Sequence, residues 1–314
     1  MDSDRLEQFS IDDMVYMELS KDNLKSIHQL FENNSPFFSL PFDYFLRGTL
    51  EDDGLDRHLS LISFDPQKKI PIAAFIIVRR TDKYEKYCFF KGCVVDQHYR
   101  RQGLGSKMFN ELLHRIKKKD ITQIIYGSSV PEYWQPGVDI RNTSLYFFLK
   151  KHGFKSLKAR FNLTVSLRAI KTKPASKKDG YTYERVHPKD FDTAINFVKQ
   201  RFLDNTWADE VKFSFRFQPP TTFIAKDSKN EIVGWATHSQ FFPGSFGPTG
   251  VDKAFRGKGV GTQLFLWCLW DIKKNGLDTC EIMWVDGDTV KFYSKVIGAF
   301  ISPIFYPMYK KIKQ

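Results

Sequence analysis

The order of apolar and polar positions along the chain is nearly the same in its two halves. Each half opens on a strand-like run that leads into a helix, beginning at Met14 in the first half and at Tyr181 in the second. Two strand-like runs come next, HLSLISF and PIAAFIIVRR in the first half and TTFIAKD and EIVGWATHSQFF in the second. Apolar runs of this length between polar turns are typical of β-strands. With the later segments, the pattern predicts the order β-α-β-β-β-α-β-α-β twice.

The repeat is clearest at two glycine motifs, VDQHYRRQGLG at Val95–Gly105 and VDKAFRGKGVG at Val251–Gly261. The two valines are 156 residues apart (251 − 95), almost half of the 314 residues. A predicted helix follows each motif, and its apolar positions i, i+1, i+4, i+5 and i+8 form one face. The duplication therefore extends into the packing, since the same 156-residue shift relates the two sets of apolar residues: Met108, Phe109, Leu112, Leu113 and Ile116, and Leu264, Phe265, Cys268, Leu269 and Ile272.

A polar stretch with proline and five basic residues, RAIKTKPASKKDG, separates the halves and predicts a linker. We place the domains at residues 1–170 and 180–314, with the linker at 171–179. Each half closes on a strand, ARFNLTVSL or SPIFYPMYKKI. The late glycines Gly153 and Gly298 are only 145 residues apart, so the first half holds 11 more residues (156 − 145), which we place in the loop Val130–Ile140.

Composition limits the function classes. The chain is 42% hydrophobic and 27% charged, which is typical of a globular protein. Its acidic first residues lack the features of a signal peptide, and no run of about 18 apolar residues occurs, so we expect a cytoplasmic protein without a membrane partner. The four cysteines form no CxxC pair, which predicts buried thiols and no metal site. The net charge of +12 comes without a motif of interleaved basic and aromatic residues, so no nucleic-acid partner is predicted.

A strand followed by arginine and by Gly-x-Gly at a helix start directs backbone N–H groups outward, where they can bind a phosphate. Neither the GxxxxGK[ST] spacing of a Walker A loop nor the GxGxxG spacing of a dinucleotide-binding loop is met. The predicted cradles run from Arg100 to Ser106 and from Arg256 to Thr262. A single RxxGxG is weak evidence, but its repetition inside a matched strand and helix is strong.

With these motifs, the chain resembles the GNAT superfamily of acyl-CoA-dependent N-acetyltransferases, whose central motif is R/Q-x-x-G-x-G/A after the fourth strand. The resemblance covers nearly the whole chain and implies an α/β fold with mixed sheets in two tandem GNAT domains. It also implies acetyl-CoA as cosubstrate, with the diphosphate on the loop amides and pantetheine along the fourth strand. The residues implied in cofactor binding are Val95, Arg100, Arg101, Gln102, Gly103, Leu104, Gly105, Ser106, Val251, Arg256, Gly257, Lys258, Gly259, Val260, Gly261 and Thr262.

The resemblance also implies a tyrosine on the late helix that protonates the departing thiolate. Tyr293 is the candidate in the second half, with a core aromatic as the alternative reading, whereas the first half has Phe148 and Leu149 at the corresponding places. We therefore expect the second half to be catalytic and the first half to be catalytically reduced. Neither fourth strand carries a glutamate as base; His238 and Asp286 are alternatives, although a strand-end histidine is more often structural.

The leading hypothesis is an acetyl-CoA-dependent N-acetyltransferase that acts on a primary amine of a small acceptor. The alternative is an acetyl-CoA-binding sensor or scaffold with one or both domains inactive. The insertion, which contains Tyr133, Trp134 and Asp139, either shapes the acceptor site or covers the domain interface. The net positive charge disfavours a polycationic acceptor, and the sequence does not predict the acceptor's identity or the oligomeric state.

Overall fold

The computed structural model describes residues 14–81, 84–202, 205–285 and 287–312. They form two compact units. The first contains the described residues up to Ser129, Tyr133–Ala159 and the described residues from Phe305 onward. The second contains Val130–Glu132 and Arg160–Ile304. Each unit has its own sheet and its own apolar core.

The first unit follows the predicted order as far as α4 (Thr143–Lys151), apart from a short helix, α2 (Phe42–Arg47), and a two-residue strand, β6 (Val138–Asp139), that the pattern did not reveal. Its strands β2 to β4 form an antiparallel meander, and β4 and β5 are parallel. The strand order of the sheet is β1-β2-β3-β4-β5-β16-β7, where β16 is the strand Met308–Lys311 near the end of the chain. The elements up to Ala159 are β1 (Val15–Met17), α1 (Leu24–Asn34), α2 (Phe42–Arg47), β2 (Leu61–Asp65), β3 (Ile70–Arg79), β4 (Tyr87–Val95), α3 (Leu104–Ile116), β5 (Gln123–Tyr126), β6 (Val138–Asp139), α4 (Thr143–Lys151) and β7 (Lys155–Ser156).

The second unit repeats this plan and also has a helix, α6, that the pattern did not reveal. From β8 its strands are ordered β8-β14-β13-β12-β11-β10-β9, with β13 and β14 parallel. The elements that follow in the chain are β8 (Arg160–Ser166), β9 (Lys177–Lys178), β10 (Tyr181–Arg185), α5 (Phe191–Arg201), α6 (Asn205–Ser214), β11 (Thr222–Lys226), β12 (Ile232–His238), β13 (Ser245–Val251), α7 (Val260–Lys274), β14 (Thr279–Val285), α8 (Gly287–Ile297), β15 (Phe300–Tyr306) and β16 (Met308–Lys311).

The last strand of each half of the sequence belongs to the sheet of the other unit. β16 lies antiparallel to β5 in the first unit, with Met308 opposite Tyr126. β8 lies antiparallel to β14 in the second unit, with Cys280 opposite Val165. The compact units therefore differ from the predicted segments 1–170 and 180–314. An alternating apolar pattern predicts a strand but leaves its partner unspecified, and two similar halves offer similar edges.

The predicted linker also contributes to the second unit. Lys177 and Lys178 form β9 and pair with β10. The Ala175 carbonyl accepts hydrogen bonds from the Gln263 side chain at 3.0 Å and from the Trp267 indole at 3.2 Å. Residues 171–179 are therefore attached to the second unit over part of their length.

The predicted helical faces are buried in the two cores. Met108, Phe109, Leu112 and Ile116 of α3 are fully buried, and Leu113 is partly buried. In α7 all five predicted positions, from Leu264 to Ile272, are buried. Among the cysteines, Cys88, Cys268 and Cys280 are buried and Cys93 is partly buried, and all four are free thiols. Local periodicity was therefore sufficient to identify which faces of these helices are buried.

The strand exchange predicts that a core mutation near the C-terminal end of the chain destabilises the first unit. Met308 is fully buried in the first core, so Met308→Ala should lower the free energy of unfolding by about 2–5 kcal/mol. Hydrogen exchange should then rise in β4 and β5 and stay unchanged in β13 and β14. Lys311→Ala, an exposed position on the same strand, serves as the control. Faster exchange confined to β13 and β14 would contradict the exchanged topology.

Candidate functional site

Both glycine motifs adopt the same backbone conformation at the start of a helix. Gly103 precedes α3 with φ of 93°, and Gly259 precedes α7 with φ of 81°. Residues with other side chains rarely adopt this left-handed conformation. Two residues earlier, Arg101 and Gly257 are left-handed as well, at 64° and 76°. Neither helix has a side-chain cap, so both helix N-termini have the geometry of an anion site.

The motif arginines bind the strand that precedes each loop. The Arg100 Nε donates to the Val95 carbonyl at 2.9 Å, and the Arg256 Nε donates to the Val251 carbonyl at 3.0 Å. The two side chains therefore fix the loop against the end of the strand. This contact is a structural role that the spacing of the motif did not reveal.

Asn34, at the C-terminal end of α1, connects that helix to the first glycine loop. Its side-chain oxygen accepts the Gln97 N–H at 2.8 Å, and its backbone carbonyl accepts an Arg100 Nη2 hydrogen bond at 2.6 Å. Its Nδ2 donates to the Leu30 carbonyl at 3.0 Å. Sequence reasoning missed this residue because its partners on the loop lie more than 60 positions away.

The parallel strands β4 and β5 separate before β4 ends. Their pairing stops at Phe90 and Tyr126, and the Gly127 N–H then donates to the Phe90 carbonyl. The Asp96 N–H donates to Ile72 of β3. Because successive residues point to opposite edges of a strand, Val95 and Cys93 direct their backbone groups to the edge that β5 has left. An extended ligand could pair with that edge as an added strand.

A cavity of about 780 Å³ lies along this edge and beneath the first glycine loop. This volume is within the usual range for sites that hold a small molecule or cofactor. Of the predicted first-loop residues, only Gln102 is missing from its wall; its side chain donates to the His98 carbonyl. Its wall includes Cys93, Val95, Arg101, Gly105, Ser106, Asn142, Phe147, Phe148 and Lys151.

The second glycine loop has the same left-handed residues before its helix, and most of the loop is exposed. Gly257, Lys258 and Gly259 are exposed, Val260 is buried, and Gly261 and Thr262 are partly buried. A Cβ added at Gly257 or Gly259 would meet no atom within 4 Å. The backbone of this loop is therefore open, and its predicted role in cofactor binding stays a prediction.

A smaller cavity of about 20 Å³ adjoins the first, and the two share the wall residues Ser35, Cys93, Asn142 and Leu145. The insertion supplies Trp134 and Gln135, and the region after α1 supplies Phe37 and Phe38. Asp139, which is buried, also lines it. The insertion therefore lines this cavity, and its role as an acceptor-shaping loop stays a prediction.

The insertion is anchored by aromatic packing and lies near a buried ionic cluster. The Trp134 ring stacks on Phe45 with centroids 4.9 Å apart.

The ionic cluster consists of Asp52, Lys91 and Arg80. The Lys91 Nζ lies 2.5 Å from the Asp52 carboxylate and 2.8 Å from the Gly48 carbonyl, and Arg80 also binds Asp52. Burial alone would raise the pKa of Asp52, but the two cations outweigh it and lower this pKa to about 2. Such a cluster is a rigid support for the bulge in β4 at Lys91.

Tyr293 lies in the core of the second unit. Its ring packs against Phe265 and Phe246, with centroids 5.0 and 5.9 Å away, and the residue is 4% exposed. Burial raises the pKa of its hydroxyl above the ordinary value, so the group stays protonated. Its counterpart Phe148 lines the large cavity of the first unit. The role of Tyr293 as proton donor stays a prediction.

His238 is a fully buried member of a structural network. Its Nε2 lies 3.0 Å from the Asp271 carboxylate, which also pairs with Arg185. Burial lowers the pKa of His238, although Asp271 acts in the opposite direction. The structural interpretation of this histidine is therefore favoured, and Asp286, the other candidate base, lies outside the described residues.

Among the described residues, none of the helices combines the length and the apolar character that a membrane-spanning segment requires. No group of three or more His, Cys, Asp or Glu side chains there is arranged to hold a metal ion.

Comparison with known proteins gives one matching family. The profile described as "Acetyltransferase (GNAT) family" matches residues 15–133 and 188–299, one region in each half. No curated protein sequence matches the chain at a significant level.

Solved structures show the same fold at 15% identity. A tandem GNAT protein from the clavulanic acid biosynthesis pathway has a TM-score of 0.72, covering 96% of this chain and 99% of its own. A GCN5-related N-acetyltransferase from Sphaerobacter thermophilus has a TM-score of 0.69, covering 96% of both chains. A glucosamine N-acetyltransferase region of a fungal multi-domain β-N-acetylglucosaminidase has a TM-score of 0.73, but this chain spans only 38% of that protein.

The ionic cluster predicts a pH-dependent contribution to stability. Asp52→Asn should lower the free energy of unfolding by about 3–5 kcal/mol at pH 7, because it leaves Lys91 and Arg80 buried without their anion. The folded pKa of Asp52, about 2, lies below its usual value of 3.8, so the wild-type advantage is present above pH 4 and disappears as pH falls through 2. Urea unfolding of wild type and variant at pH 7 and at lower pH measures this difference in stability. Asp120→Asn, which removes an exposed pair with Lys86, is the control. Equal stability of wild type and Asp52→Asn at pH 7 would contradict the prediction.

Proposed function

Because the chain belongs to the GNAT acetyltransferase family, we propose that it is an acetyl-CoA-dependent N-acetyltransferase acting on a primary amine of a small acceptor. The observation that carries the proposal is the 780 Å³ cavity, which joins a helix N-terminus to the open edge of β4. It favours the first unit as the reaction centre. The expectation that the second half is catalytic depended on Tyr293, which lines neither of the two cavities described above.

The residues of the first unit suit the three parts of acetyl-CoA. The N–H groups at Gly103–Ser106 suit the diphosphate, with Arg101 and Lys151 as nearby cations. Backbone groups of Cys93 and the N–H of Val95 suit the amides of pantetheine, whereas the Val95 carbonyl already accepts the Arg100 Nε. An added Cβ at Gly105 would lie 3.2 Å from the Phe148 ring, so glycine keeps this part of the cavity open. Acetyl-CoA would supply the activated acyl group.

In the proposed transfer, the amine nitrogen bonds to the acyl carbon, the carbon–sulfur bond breaks, and the amine loses a proton while the thiolate gains one. The residues shared by the two cavities, which include Cys93 and Asn142, mark where the acyl group and the amine would meet. Holding both reactants there replaces a bimolecular encounter. Tyr126 lines the small cavity, and burial raises its pKa well above the ordinary value. We propose its protonated hydroxyl as the proton donor.

Matched glycine variants test which unit binds the cosubstrate. Gly105→Val places methyl groups against Phe148 in the cavity, so acetyl-CoA affinity should fall at least about 10-fold and turnover should fall with it. Gly261→Val is the equivalent change in the second unit, and turnover should remain close to wild type. Calorimetry with acetyl-CoA gives the affinity and the number of molecules bound per chain, and thiol release with a panel of amines gives turnover.

The opposite pattern, with turnover lost only in Gly261→Val, would move the reaction to the second unit. Binding of acetyl-CoA by wild type without acetylation of any amine would favour the sensor or scaffold alternative. No binding at all would overturn both functions.

Paired tyrosine variants test the proton donor. Tyr126→Phe should lower kcat by about 100-fold, because general acid catalysis is lost, and should leave the acetyl-CoA affinity unchanged. Tyr293→Phe should change kcat less than about 2-fold if the reaction occurs in the first unit. Thermal unfolding of both variants checks that the cores are intact. A large loss in Tyr293→Phe with normal Tyr126→Phe would instead support the sequence-based assignment.

A further inference from the structure

The small cavity is too small for an acceptor in the structure as it stands. Its volume of about 20 Å³ accommodates one or two water molecules, since a single water occupies about 10–15 Å³ by the same measure. Because the small cavity shares wall residues with the large one, we take it as the route by which an acceptor would reach the acyl group. This assignment rests on the proposed function. Part of the wall therefore has to move when an acceptor binds.

The most exposed part of this wall is held by one arginine. Arg141, half exposed, binds both carboxylate oxygens of Asp139, with Nη2 2.6 Å from Oδ2 and Nε 3.0 Å from Oδ1. The same guanidinium lies over the Phe37 ring, with its carbon 4.7 Å from the ring centroid. Phe37 is 39% exposed, whereas the Asp139 side chain is only 2% exposed. Asp139 and Phe37 both line the small cavity. A cation of the protein therefore contacts a buried carboxylate and an aromatic ring that belong to its wall.

Moving Arg141 out of the way has an energetic consequence for Asp139. The carboxylate would keep the hydrogen bond from the Arg141 backbone N–H at 3.0 Å but would lose its guanidinium partner while it stays buried. A buried charge without a counter-ion is strongly unfavourable. Lys91, which also lines the cavity, directs its Nζ to Asp52 and the Gly48 carbonyl. An incoming ligand that brings its own positive charge compensates Asp139, and the Phe37 ring favours a cation at the same place.

We propose that the acceptor carries an alkylammonium or guanidinium group, and that this group replaces the Arg141 guanidinium on Asp139 and Phe37. Arg141 then acts as an internal substitute for the acceptor's cation and closes the cavity until the acceptor arrives. A neutral or anionic acceptor would open the cavity only at the cost of an uncompensated carboxylate. The overall positive charge of the protein does not oppose this recognition, because the interaction is local and buried.

Two acceptors that differ only at the far end test this recognition. Pentane-1,5-diamine and 5-aminopentan-1-ol have the same chain and reactive amine, and the first has a second ammonium group. After correction for its two equivalent amines, wild type should use the diamine with a kcat/KM at least about 10-fold higher, the effect expected of a charge-assisted hydrogen bond. Asp139→Asn should remove this preference. Arg141→Ala should keep the preference and lower the KM of the diamine.

A binding measurement tests the same site without turnover. Propylguanidinium should bind Arg141→Ala in calorimetry at millimolar concentration, because its guanidinium group can take the place of the one that the variant lacks. It should not bind the double variant Arg141→Ala/Asp139→Asn. Arg115→Ala is the matched control, since Arg115 pairs with Glu111 on the surface of the same unit. Thermal unfolding of each variant confirms that it is folded.

The outcomes separate this inference from the proposed function. Equal use of the two amines by wild type, or a preference that survives in Asp139→Asn, would overturn the inference while acetyl transfer stands. Failure of propylguanidinium to bind the folded Arg141→Ala variant would also overturn it. Asp139-dependent binding of propylguanidinium, with acetyl-CoA bound but neither amine acetylated, would support the cation site and count against the proposed transfer.

Discussion

The separation of β4 from β5 is the constraint on which the candidate site depends. Two parallel strands that stayed paired to their ends would satisfy their edges and leave no space between them. Here the pairing ends at Phe90 and Tyr126, and the rest of β4 keeps one edge of backbone groups without β5. The large cavity follows that edge, and the glycine loop lies at its end. The fold thus exposes backbone polar groups at the place where a ligand can satisfy them.

The duplication preserves this backbone more closely than the side chains around it. Gly103 and Gly259 share a left-handed conformation, and Arg100 and Arg256 make the same contact with the preceding strand. The surroundings differ: Asn34 ties the first loop to α1, whereas Asp252 beside the second loop pairs with the exposed Arg201. A backbone motif can therefore be repeated while the chemistry around it diverges, and the motif alone does not identify the reacting unit.

Features that depend on residues close together in the chain could be predicted from the sequence, and features that depend on distant residues could not. The glycine loops, the buried faces of α3 and α7 and the mixed α/β fold depend on local patterns, and these were predicted. The exchange of β8 and β16 was not predicted, because periodicity does not identify a strand's partner. The roles of Asn34 and of the Asp52 cluster depend on residues tens of positions apart. The short helix α2, FDYFLR, is too brief to show a helical period.

The exchanged strand also affects how the protein is made. While the ribosome synthesises the chain, β5 emerges long before β16, which is encoded 182 residues after the end of β5 (308 − 126). Until then one edge of β5 has no neighbour, and such an edge can pair with another nascent chain. The first unit is therefore completed only after nearly all of the second unit has been synthesised. For this reason the two units cannot finish folding strictly one after the other.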